Sequence, residues 1–247
     1  MSGALWSLVW PAPPPSLEGA SSTVGLLVGA TAVFMLYAYP LSRESWAARL
    51  RRTDAELDGP GSPRAVTLER VSSGIAFGFG AVALWLSTMG GMPTWLGLPR
   101  PATSAAWVGL MLLVALPAVR SSSRKPSMWS RYPEFRVRTW TPALKRQSLY
   151  GNSAYLLGYE AFFRGLLTFG LASALGDWVG LATVSALYAV AHIRKDANEA
   201  MACLPMGFVF GFAALQSGSI WAPWFVHVVI GWVSEVVTGT TNPDTDY

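Results

Sequence analysis

The sequence has a single cysteine, Cys203, so no disulfide framework holds it together. Charged residues are scarce, at 13% of 247 residues, where a soluble domain carries about 25%. So few charges cannot cover the surface of an ordinary soluble globule. Disorder is excluded as well, because it needs low hydrophobicity and high charge, and 52% of this chain is hydrophobic. The sequence also lacks the alternating segments of about ten residues that build transmembrane β-barrels. It has no internal repeat and no long low-complexity linker. The missing repeats, and the absence of broken helices in matching halves, count against a transporter or channel subunit.

What is present is apolar and aromatic. Aromatics make up 13%, with 12 Trp. Runs near the 20 residues needed to span a bilayer fall at 22–41, 71–90, 103–119, 149–174, 178–192, 200–215 and 219–237. Lipid cannot satisfy open backbone groups, so such runs must be helices. The expected fold is all-α, a polytopic membrane helix bundle of about seven to eight transmembrane helices.

Sixteen of the 18 Lys and Arg residues fall in clusters between these runs, in 43–70, 120–146 and the pair Arg194 and Lys195, while Arg100 lies in another loop and Arg164 inside a run. Basic loops face the cytoplasm, and strict alternation then puts every cluster inside. The N-terminus is expected outside, in a multi-pass protein of the cell inner (plasma) membrane. It does not read as a signal peptide, because it lacks a basic start and is interrupted by Pro11, Pro13, Pro14 and Pro15. The lipid bilayer is an implied partner, and the net charge of +4 suits loops facing anionic lipid. Nucleic acid is not, since the Arg residues flank spans rather than forming one stripe with stacking aromatics. Pro142 is placed to open a helix running into the fourth span. Thr53–Pro63 reads as the most flexible loop.

Four ionisable side chains inside or at the end of the runs stand out: Glu160, Arg164, His192 and His227. Each costs about 2.5–3.5 kcal/mol to insert, and such residues usually mark function. Glu160 and Arg164 are spaced i, i+4 and share a helix face. Alone, they also fit a plain internal salt bridge, and a lone His more often bonds between helices. A Glu and two His from three spans can converge on one water, with a carboxylate as base and His sharing the proton. The same set could hold a zinc ion, but the HExxH spacing is absent, and no cofactor is expected. Tyr188, four before His192, reads as packing. Glu235 reads as a solvated carboxylate near the end of the last span. Asn198 and Glu199 read as caps of the sixth span, and Gly207 with Gly211 as a close-packing pair.

Depth sets a condition on that convergence. Glu160 lies roughly 17 Å along its helix from Leu149, while His192 adjoins a basic pair. The two meet if the fifth helix is sunk or the fourth begins later, around a cavity open to the cytoplasm.

These residues resemble a known family. Tyr159-Glu160-Ala161-Phe162-Phe163-Arg164 is similar to the first motif, Glu-Glu-x-x-x-Arg, of the CAAX protease and bacteriocin-processing (CPBP, also called Abi) family. Tyr188-Ala189-Val190-Ala191-His192 resembles its second motif, Phe-x-x-x-His. Gly218 to His227 looks like the approach to its third, His-x-x-x-Asn. The resemblance implies an intramembrane endopeptidase of the glutamate type acting on a membrane-associated or lipid-modified protein or peptide. It implies catalytic roles for Glu160, His192 and His227, with His192 and a Glu activating water and His227 as an oxyanion donor. Arg164, Tyr159 and Tyr188 would support them, Arg164 by holding Glu160. Two positions depart. The first Glu of the family pair is Tyr159, and the asparagine four after His227 is Gly231. The alternative is therefore a catalytically inactive protein of the same fold, acting in bacteriocin immunity or as a membrane scaffold. The expected organisation is an extracytoplasmic segment 1–21, N-terminal helices and cytoplasmic loops 22–139, a CPBP-like core 140–237 and a cytoplasmic tail 238–247.

Overall fold

The computed structural model describes residues 18–53, 59–193 and 197–247. Among these residues there are helices and turns but no β-strand. Helix α1 covers Glu18–Ala38 and α2 covers Arg43–Thr53. The bend between Ser22–Ala38 and Arg43–Leu50 is 45°. Helix α3, Pro63–Thr88, starts where Ser62 accepts a hydrogen bond from the Ala65 N–H, with Pro63 at its first position. A 3₁₀ turn at Thr94–Leu96 leads to α4, Pro101–Ser122, and the short α5, Pro126–Trp129.

Helix α6, Pro142–Glu160, opens at Pro142 as the sequence predicts, and Thr141 caps it by accepting from the Leu144 N–H. It continues without a break as a π-helix over Ala161–Phe169 and then as α7, Gly170–Leu175. Gly176, at φ +82°, allows the reversal into α8, Asp177–Ala191. Helices α9, Ala197–Ser217, and α10, Trp221–Thr241, complete the bundle.

Each of the seven expected spans coincides with one of these helices or with the continuous helix 142–175. Four helices are long and apolar enough to cross a membrane, and a fifth joins them if the bent pair is one span. The chain is a multi-pass membrane protein. The helix 142–175 is more polar and carries Glu160 and Arg164 in its middle. It is also central: α3, α9 and α10 all pack on it.

Small residues set the closest contacts. A Cβ on Gly158 of α6 would fall 2.1 Å from the Gly74 carbonyl oxygen of α3. The expected pair Gly207 and Gly211 lays α9 on α8, where added Cβ atoms would meet Ser185 at 3.1 Å and Leu181 at 2.8 Å. Phe77, Phe162, Phe163, Leu166 and Val184 fill the core between these helices. Met201 is exposed and Met206 packs on a smaller cluster with Phe210 and Val226.

The two ends of the bundle are finished differently. At one end the loop before α4 folds inward. Trp95 is fully buried, and a Cβ on Gly165 would lie 2.6 Å from its ring. The Trp95 carbonyl accepts from the Ile220 N–H. At the other end the chain terminus returns to the start of α6. The Trp140 N–H donates to the Asp246 carbonyl, and Tyr247 packs on the Trp140 ring. The last helix runs to Thr241, four residues past the expected boundary, and the segment after it packs against the core rather than extending from it. The expectations for residues 1–17, for much of the loop at 54–58, for the Arg194 and Lys195 pair and for the Asn198 side chain lie outside the described residues.

Candidate active site

Glu160 ends the α-helical part of the central helix, and Arg164 lies in the first turn of the π-helix that follows. π-Helical turns are rare and often occur at functional sites. Here Thr168 donates to the Phe163 carbonyl five residues back. Both charged side chains are fully buried. Arg164 Nε is 3.3 Å from Glu160 Oε2. Its guanidinium carbon stands 4.2 Å from the Tyr188 ring centre and 5.5 Å from that of Phe210. Cation–π contact and the ion pair thus hold the arginine. Its three guanidinium nitrogens have no hydrogen-bond partner.

The other oxygen of Glu160 faces a histidine. Oε1 lies 2.6 Å from Nδ1 of His227, one and a half turns into α10. In the neutral ring Nδ1–H donates to the carboxylate, which leaves Nε2 as the basic nitrogen. His192 caps α8 and is buried. Its Nδ1 is 2.8 Å from the Tyr188 carbonyl oxygen, which fixes the same tautomer, with Nε2 basic. Tyr188 thus supplies a backbone acceptor and a ring for Arg164, more than packing.

Tyr159 stands between the two histidines. Its ring centre is 6.4 Å from that of His192 and 6.1 Å from that of His227, both edge-on. A cavity of about 80 Å³ is lined by Tyr159, His192, His227, Asn152 and Gly231, and by Arg70, Glu134 and Glu235 toward its mouth. A water occupies about 30 Å³ of liquid, so a few fit. Glu160 does not line this space; it sits behind His227. The helix of the fourth run begins before that run, at Pro142, and its Tyr159 ring still stands 6.4 Å from that of His192. His192, at the end of α8, meets a residue roughly 26 Å along the helix that opens at Pro142.

Glu235 differs from its sequence reading. It is buried, not solvated. Oε2 accepts from the Ser148 hydroxyl at 2.6 Å and lies 3.8 Å from Arg70 Nη2. Arg70 also donates to the Ser148 carbonyl and approaches Glu134 at 3.4 Å. Arg43 joins Glu134 to Glu69, at 2.9 and 2.7 Å. This network ties α2, α3, α6, α10 and the loop before α6 together around the cavity mouth. A spacing signal was available: Glu235 follows His227 by eight residues, just over two turns, on one face. Asn152 precedes Tyr159 by seven in the same way. Among the described residues no group of three His, Cys, Asp or Glu is placed to hold a metal.

The three motif segments, in order and on separate helices, thus come together at one cavity. A family model described as "Rce1-like: Type II CAAX prenyl endopeptidase Rce1-like" matches residues 154–233. Residues 154–233 are a CPBP-family domain. The matched stretch lies inside the expected core 140–237 and contains Tyr159, Glu160, Arg164, Tyr188, His192 and His227. At the level of the family it supports a CAAX-type intramembrane protease. No curated protein and no solved structure matches the chain.

Proposed function

We propose that the chain is an intramembrane endopeptidase that hydrolyses a peptide bond in a membrane-associated or lipid-modified protein or peptide. The observation that carries this reading is the Glu160–His227 hydrogen bond on the floor of a cavity that His192 shares. It supports a division of labour different from the one the family resemblance implies. Glu160 holds Nδ1–H of His227 and stabilises the imidazolium, so His227 Nε2 is the general base. It takes a proton from a water in the cavity, and the resulting hydroxide attacks the carbonyl carbon. His192, oriented by the Tyr188 carbonyl, accepts the other hydrogen of that water and positions it. His227 then returns its proton to the leaving nitrogen as the C–N bond breaks, giving a carboxylic acid and an amine, and the acid passes its proton to the amine or to water.

An apolar groove of about 420 Å³ adjoins the cavity at Arg70. It is lined by Val71, Gly74, Ile75, Gly78, Leu157 and Gly158 among others. An apolar chain attached to the substrate fits that chemistry, with the scissile bond reaching the cavity.

The test is cleavage of fluorescence-quenched lipidated peptides by the full chain in proteoliposomes, with products read by mass spectrometry. Cleavage is expected to drop by a factor of about 10²–10⁴ in His227→Ala and in Glu160→Gln. A Glu160→Gln protein of normal activity would remove the dyad.

Tyr159 motivates a second reading, a CPBP-fold protein without catalysis that binds a peptide in the same cavity, as in bacteriocin immunity or scaffolding. Its aromatic ring fills the position of the family's first glutamate. Under that reading the wild type binds lipidated peptides without cleaving them, and Tyr159→Glu with Gly231→Asn creates cleavage.

A further inference from the structure

Gly231 stands four residues after His227 on α10, and no side chain projects from it. The space is nevertheless not vacant. A Cβ added at Gly231 would lie 3.0 Å from Nδ2 of Asn152, on the neighbouring helix α6. The first atom of any side chain at 231 would therefore touch the carboxamide of Asn152. Both residues line the cavity that holds His192, His227 and Tyr159. Asn152 is two turns before Tyr159, on the face that α6 turns toward this cavity. A carboxamide carries two N–H donors. Donors fixed in a small, water-poor space stabilise the negative oxygen that develops during acyl transfer.

We infer that Asn152 is a catalytic residue that donates Nδ2–H to the oxyanion of the tetrahedral intermediate, supplied by α6 where α10 has only glycine. This rests on the endopeptidase reading. The hydrogen bond strengthens as the carbonyl oxygen gains charge and weakens again as the C–N bond breaks, so its loss acts on turnover more than on binding.

The experiment uses the full chain in proteoliposomes with a farnesylated, fluorescence-quenched peptide, following kcat and KM separately. Asn152→Ala is expected to lower kcat by about 10²–10³ with little change in KM. Asn152→Asp keeps the size of the side chain and removes its donors, and loses kcat likewise even if the alanine protein cannot be purified. Gly231→Asn alone meets the Asn152 amide and gains nothing. In Asn152→Ala with Gly231→Asn that amide is gone, the new one enters from α10, and kcat recovers by at least tenfold over Asn152→Ala. A wild type that cleaves the peptide, with Asn152→Ala or Asn152→Asp equally fast, overturns the inference alone. So does a single variant whose defect is in KM and which the exchange does not rescue, because that is the pattern of a packing residue. A wild type that cleaves no lipidated peptide overturns the endopeptidase reading and this inference with it.

Discussion

Two groups of buried charge lie along one cavity, and they are built differently. On the floor, Glu160 is shared between a guanidinium and an imidazole, and of these two the imidazole lines the open space. At the mouth, Arg43 and Arg70 alternate with Glu69, Glu134 and Glu235. The floor group contains an imidazole, whose ring nitrogens can both accept and donate a proton. In the mouth group the cations are arginines, which keep their charge. Its members come from separate helices and a loop, so its work is to hold those elements together around the opening.

Substitutions can break this contrast, starting with the largest effect. Glu160→Ala leaves Arg164 buried without its partner, which should cost about 3–5 kcal/mol of stability and abolish cleavage. Glu160→Met with Arg164→Met should restore most of the thermal midpoint while activity stays absent. A double variant as unstable as the single one would show that the pair is not the unit. Next, Gly158→Leu forces side-chain atoms into the Gly74 backbone, and about 1–3 kcal/mol is expected from overpacking. It should lower the midpoint and, because Gly158 also lines the apolar groove, raise KM for lipidated peptides. Arg70→Met removes one charge from the mouth and leaves the Glu235 carboxylate short of a partner. About 1–3 kcal/mol of lost stability is expected, with cleavage reduced less than in His227→Ala. If Arg70→Met instead matched His227→Ala in kcat, the mouth would belong to the chemistry. Smallest is Arg43→Gln, at a partly exposed pair, with a change of roughly 0–1 kcal/mol read from the unfolding midpoint.

The floor of the cavity was legible in the sequence because membrane composition exposes it. In a chain with 13% charged residues, Glu160, Arg164, His192 and His227 stand out against their runs, and the structure brings all four together. The helices were legible for the same reason, each apolar run being bounded by charge or by Gly and Pro. The mouth was hidden. Arg70 looked like one more basic loop residue because it lies at the edge of an apolar run, and α3 starts eight residues earlier than that run. Glu235 looked solvated because only tertiary packing brings Ser148 and Arg70 to it. The pairing of Glu160 with His227 rather than His192 depends on how α10 crosses the central helix, which no local spacing encodes. The same holds for Asn152, whose neutral side chain raises no alarm in a polytopic sequence until Gly231 is seen beside it.

Trp95 has a consequence beyond packing. Its ring lies against Gly165 and the Trp85 ring, near the end of α3 opposite Arg70, and Ser219 bonds to the carbonyls beside it. Trp95 does not line the cavity, whose own lining includes Arg70 and Glu134. A hydrolase embedded in a bilayer needs water at depth, yet a hydrated path through the full thickness would short-circuit the ion gradients of the cell. On the endopeptidase reading, a buried indole beyond the site would let it be wet from one side while the membrane stays electrically tight.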